Sequence, residues 1–159
     1  MSEDLAKRLS LVEDERAITR LLYRYSHAID RGDSDGWVAC FTADGAFRGR
    51  GEGVDFAPTS AQGQVALLDF AKRHAQPADF GYQHVVVEPL IDVDGDTARC
   101  VSFWVTLAEN DATAPVPRAF GRYEDEIVRD VDGQWRFRTR TIVVRAQTSD
   151  VKPLSYRHN

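Results

Sequence analysis

The second half of the chain most constrains its fold. Residues 83–93 and 97–107 are two runs rich in β-branched and aromatic side chains, separated by Asp94-Gly95. Residues 119–130 and 135–147 are two more, separated by Asp132-Gly133. Asp-Gly tolerates the left-handed backbone of a two-residue hairpin turn, so each set predicts a long antiparallel hairpin.

The first half has a different period. Between about residues 13 and 29, Ile18, Leu21, Leu22, Tyr25, Ala28 and Ile29 recur at helical spacing and form one apolar stripe. Residues 1–10 read as a loose or partly helical lead-in. Arg31-Gly32-Asp33 stops the helix, because Gly32 can turn left-handed. Asp33 or Ser34 then caps a short second helix carrying Trp37, Cys40 and Phe41. Asp44-Gly45 reads as a turn, 46–50 as a short strand, and the Gly-rich segment 49–60 as a loop. Thr59 and Gln62 fit a capping box for a third helix over 61–74, burying Val65, Leu68 and Ala71 or Lys72. Residues 76–81 form a connector.

Helices followed by a long antiparallel sheet define an α+β protein. The length of 159 residues fits one domain, 1–150, with a tail at 151–159. Three helices cannot cover both faces of four or five long strands. A curved sheet wrapped around them as a cone-shaped barrel would bury most apolar residues and leave a hollow beside the first helix.

Composition narrows the function classes. A net charge of -5 without a basic cluster speaks against nucleic-acid binding. Arg136, Arg138 and Arg140 alternate and read as a solvated or salt-bridged face. Cys40 and Cys100 lie in apolar surroundings, as buried thiols do. No His/Cys/Asp set has metal spacing and no Gly-rich strand-to-helix turn occurs, so neither metal nor cofactor is expected. The charged N-terminus lacks an apolar signal core and no segment has transmembrane length. A cytoplasmic protein with no membrane partner is the expectation.

Chemistry concentrates on Asp30 and His84. The carboxylate ends the first helix and the imidazole opens the strand Gln83-His84-Val85-Val86-Val87. They can meet only through folding. In an apolar cavity they make a general base with Asp30 orienting His84; otherwise they are an exposed helix-end carboxylate and a satisfied strand histidine. A carboxylate there faces the negative end of the helix dipole, which a histidine partner offsets. Tyr25 falls on the buried stripe. It is either a core aromatic or a hydroxyl aimed at a substrate oxygen. Phe47, Trp37, Phe103, Trp104 and Phe120 are core residues or the lining of a pocket for a flat hydrophobic ligand. With a two-residue turn at Asp132-Gly133, Asp125 lies opposite Arg140, an ordinary cross-strand pair. Alternatively Arg122 or Arg140 enters the pocket and binds a substrate carboxylate or leaving anion. A one-residue slip in register would exchange the faces. His27 and His158 have no such support. His74 ends a helix, where an imidazolium complements the dipole.

The segments Tyr23-Arg24-Tyr25-Ser26-His27-Ala28-Ile29-Asp30-Arg31-Gly32-Asp33 and Phe41-Thr42-Ala43-Asp44-Gly45 carry a family resemblance. So does the hairpin from Gly121-Arg122-Tyr123-Glu124-Asp125-Glu126 to Asp132-Gly133-Gln134-Trp135-Arg136-Phe137. In order and spacing, from Ala17 to about Ala146, the chain resembles the SnoaL-like branch of the nuclear-transport-factor-2-like superfamily. The resemblance implies a cone-shaped α+β barrel with a deep apolar pocket, usually a homodimer or homotrimer joined through the convex sheet face. It spans dehydratases, a dehydrochlorinase, polyketide cyclases, ketosteroid isomerase and the non-catalytic β-subunits of ring-hydroxylating dioxygenases. In the dehydratase-like members an aspartate ending the first helix pairs with a histidine opening a strand, and Asp30 and His84 match them. Tyr25 matches a tyrosine of the bile-acid dehydratase. Scytalone dehydratase has a second histidine on the next strand and the bile-acid enzyme an acid; Phe103-Trp104-Val105-Thr106-Leu107 supplies neither. The dehydrochlorinase manages with Asp, His and an arginine. The implied function is a cofactor-independent lyase or isomerase acting on a hydrophobic small molecule, or else a scaffold subunit.

Overall fold

In the computed structural model, which describes residues 3–74, 80–150 and 154–155, three helices pack on one six-stranded sheet. The elements run α1 (Glu3–Asp30), α2 (Ser34–Val38), β1 (Phe41–Gly51), β2 (Thr59–Gln62), α3 (Gly63–His74), β3 (Phe80–Gly81), β4 (Gln83–Asp94), β5 (Thr97–Glu109), β6 (Pro115–Arg129), β7 (Trp135–Gln147) and β8 (Leu154–Ser155). The sheet order is β2-β1-β7-β6-β5-β4, antiparallel except where β1 lies parallel to β7. β3 and β8 form a separate two-stranded ribbon. This is the α+β architecture expected, with both Asp-Gly pairs at hairpin turns. Asp94 pairs with Thr97 across two residues, whereas Arg129 pairs with Trp135 across five. Asp132-Gly133 is therefore not the two-residue turn expected, and the extra residue at Arg138 restores the Asp125–Arg140 register.

The stripe Ile18, Leu21, Leu22, Tyr25, Ala28, Ile29 is buried as its spacing predicts, and it faces the concave side of the sheet. β-bulges let the sheet wrap around it. One lies on β4 between Val87 and Leu90, where Glu88 takes φ 52°. Another places Arg138 as the extra residue of β7, between Phe137 and Thr139.

Several local expectations are corrected. The lead-in is helix: α1 begins at Glu3. Phe41 belongs to a strand, because the chain leaves α2 to run beside β7; the Phe137 N–H donates to the Cys40 carbonyl at 2.9 Å. Asp44-Gly45 sits inside β1 at a register shift and is no free turn. Thr59 and Gln62 are not a capping box. Both pair with β1, and α3 starts one residue later at Gly63, whose φ is +76°. This start rotates the helix so that Leu67 and Ala71 are buried while Val65 is exposed. The connector 76–81 and the tail 151–159 lie outside the described residues except for the short β3–β8 pair.

Candidate active site

α1 delivers Asp30 through a well-defined stop. Gly32 adopts φ 68°, the Asp33 N–H donates to the Ala28 carbonyl (2.9 Å) and the Gly32 N–H to that of Ile29 (3.2 Å). This paired closure of the last turn leaves Asp30 as its final residue. Asp33 then caps α2 by accepting from the Gly36 N–H at 2.8 Å.

Asp30 is the carboxylate that anchors the start of β4. It accepts the backbone N–H of His84 on both oxygens, at 2.9 and 3.2 Å, and lies 2.6 Å from His84 Nδ1. Three contacts from one residue fix ring and backbone together. The carboxylate requires a proton on Nδ1, which leaves Nε2 as a lone pair free to take a proton. The side chains of His84 and Asp30 retain 18% and 16% exposure, so the pair is sheltered but reachable.

Behind this pair lies an aromatic interior. The Tyr25 ring lies 5.5 Å from Trp37, 5.7 Å from Phe137 and 5.9 Å from Tyr123, and the Trp104 ring 5.9 Å from Tyr123. Burial pushes the Tyr25 hydroxyl up to about 12 against the opposing charge of Arg140, so it stays protonated. On the α3 side Phe70 stacks on Trp37, Phe47 meets Trp37 edge-on and lies tilted against Phe70, and His74 stacks on Phe70 at 4.8 Å. Contrary to the dipole expectation, His74 is held below its ordinary value. Desolvation is the main cause, followed by the nearby charges of His84 and Arg118.

Register decides the other candidates. Trp104 and Phe47 point inward and are buried. Phe103 is 54% exposed on the outer face of the sheet, as is Phe120 at 51%. Arg122 is also on that outer face, held by Glu52 at 2.6 Å and Glu124 at 2.8 Å. Phe103 and Arg122 therefore do not join Asp30 and His84; alternation along β5 and β6 turns them away.

Arg140 is the largest surprise. It pairs with Asp125 in the expected register, but both side chains are completely buried. Arg136 pairs with Asp130 and Asp132 near the surface, and the bulge at Arg138 shifts the alternation so that Arg140 turns inward. Its guanidinium lies 3.7 Å from the ring centre of Tyr123, 4.1 Å from Tyr25 and 4.4 Å from Phe137. The Arg140 Nε is 3.1 Å from Asp125 Oδ1, yet no side-chain nitrogen or oxygen of the pair has an aligned hydrogen-bond partner among the described residues. Burial drives Asp125 up to about 7 even against that cation. The sequence named this pair but not its enclosure, which depends on the bulge, and it missed Phe70.

The comparisons agree with this architecture. The model of the SnoaL-like domain matches residues 10–141. The solved structure of Rv3472 from Mycobacterium tuberculosis, a protein of unknown function, is 31% identical over 86% of this chain and 79% of its own, with a TM-score of 0.71. An NTF2-like protein with a cystatin-like fold from Novosphingobium aromaticivorans is 26% identical over 92% of both chains, with a TM-score of 0.75. A second protein from that organism, described as a "Putative Scytalone Dehydratase", is 25% identical over 96% of this chain and 93% of its own, with a TM-score of 0.69. No curated protein matches the sequence.

Proposed function

The chain belongs to the SnoaL-like domain family, and from that premise we propose that it is a cofactor-independent lyase or isomerase of a small hydrophobic molecule. The supporting observation is the contact of 2.6 Å between His84 Nδ1 and Asp30, reinforced by both backbone hydrogen bonds. His84 Nε2 removes a proton beside an electron-withdrawing or leaving group. Asp30 fixes the tautomer and stabilises the imidazolium that forms. His84 returns the proton to a second carbon in a double-bond shift, or the leaving group departs with the electron pair in an elimination. Tyr25, whose hydroxyl stays protonated, donates a hydrogen bond to the substrate oxygen that gains charge. Phe47 and Trp104 shape the apolar side of the site. Arg140 acts through the field it projects past Tyr25, since its guanidinium is enclosed. Steroids, polyketides, terpenoids and aromatics are the candidate substrates.

The outer sheet face carries Val87, Leu90, Val101, Phe103 and Phe120 exposed on neighbouring strands. An apolar patch of this kind suits assembly into a homodimer or homotrimer. No helix among the described residues is long and apolar enough to cross a membrane.

The test begins with a thermal-shift screen of those four ligand classes, followed by assay of the hits for elimination or isomerisation. Asp30→Asn and His84→Ala should each lower turnover by roughly 100- to 10,000-fold, the usual contribution of a general base, with the far-UV circular dichroism unchanged. Full turnover in either variant would refute the assignment of the base.

A further inference from the structure

α1 carries a second apolar row, on the side turned away from the sheet. Every side chain from residue 3 to 13 is exposed, and the first buried one is Ile18. Yet Leu5, Leu9, Val12 and Tyr23 stand 49%, 46%, 60% and 49% exposed. With Arg16 and Thr19 they follow alternating steps of four and three residues, the spacing of a helix–helix seam. At 3.6 residues per turn this row lies roughly 150° around the helix from the row that meets the sheet. Asp14 marks the inward side, accepting from Arg129 at 2.7 Å and from Trp135 Nε1 at 3.1 Å. A surface helix of a lone domain needs one apolar stripe; this one has two.

We propose that the outward row of α1 packs antiparallel against the same row of a second copy of this chain. Charge complementarity singles out a copy and its direction. With the two-fold axis between Leu9 and Val12, Leu9 packs on Val12 of the partner subunit. Arg8 then flanks Glu15 of the partner subunit, and the reciprocal contact repeats it. The aliphatic stem of Arg16 covers Leu5 of the partner subunit. A parallel, in-register pairing would instead stack Arg16 on its own copy in the centre of the seam, where like charges repel. The interface is independent of the proposed catalytic reading and separate from the outer sheet face.

The experiment is sedimentation of the full chain over a range of concentrations. The double variant Leu9→Glu/Val12→Glu should have half the mass of the wild type, with its helical circular dichroism retained. Arg8→Glu should weaken association by roughly tenfold, as loss of complementary interfacial charge does, and adding Glu15→Arg should restore it. Mixing Leu9→Cys chains with Val12→Cys chains should give a disulfide-linked pair under mild oxidation, while neither variant does so alone. A wild-type mass equal to that of the double variant would overturn the interface. Cross-linking of Leu9→Cys by itself would overturn the antiparallel arrangement.

Discussion

Two carboxylates inside this domain each face a basic side chain, and their surroundings make them opposites. Asp30 sits at a helix end, makes three contacts with two donors of His84 and keeps part of its surface open. Asp125 sits in mid-sheet and, among the described residues, pairs with Arg140 in poor alignment, behind rings from α1, β6 and β7. The first pair keeps a route to solvent, as the proposed proton transfer requires. The second is held by its neighbours and has no path outward. An acid and a base in contact are therefore not enough for catalysis; access and satisfied hydrogen bonds are what the proposed base has and the enclosed pair lacks.

The contrast can be broken by truncating one member of each pair. Arg140→Met would leave Asp125 buried without its cation and should cost about 3–5 kcal/mol in a urea titration. His84→Ala should cost only about 1 kcal/mol, since Asp30 can still reach water and the residue 84 N–H. Equal losses would erase the distinction. The double variant Asp125→Leu/Arg140→Met should recover most of the stability, because apolar replacement of a sealed ion pair is often neutral or better.

The pH dependence sharpens the same point. Burial raises Asp125 to about 7 in the folded protein, above the roughly 3.9 of an unfolded aspartate. The folded state therefore binds more protons between these values, and stability falls as pH rises toward 7. The favourable contribution is complete below the unfolded value and is lost as pH passes through about 7. In Asp125→Asn this part of the slope should disappear from denaturation curves measured between pH 4 and 8.

The smallest effect is a labelling rate. Desolvation, with Asp125's charge adding, raises the Cys100 thiol to about 12, and desolvation raises Cys40 to about 11. Both should resist a disulfide reagent at pH 8 in the native protein. In Arg140→Met, Cys100, which pairs with Asp125 across β5 and β6, should label faster as the interior loosens. An unchanged rate would mean that Arg140 does not hold that region closed.

Much of this was legible in residue order. The two Asp-Gly hairpins, the α1 stripe and the Gly32 stop are local signals, and they placed Asp30 and His84 on the correct element ends. The errors occurred where neighbours overrode local preference. Thr59 and Gln62 suit a helix cap, but strand β1 offered them a ladder. Phe103 and Arg122 depended on the phase of alternation, and nothing local in the sequence gave the outward face of β5 and β6.

By itself the sequence determined the element types, their order and the residues able to act as acid and base, because hydrophobic period and turn chemistry are properties of neighbouring residues. Only the tertiary structure decided which pair is open and which is enclosed. That choice turns on the bulge at Arg138, which shifts the side chains of β7 by half a period as far as a second irregularity at Arg145 and carries Arg140 from an expected surface row into the aromatic interior.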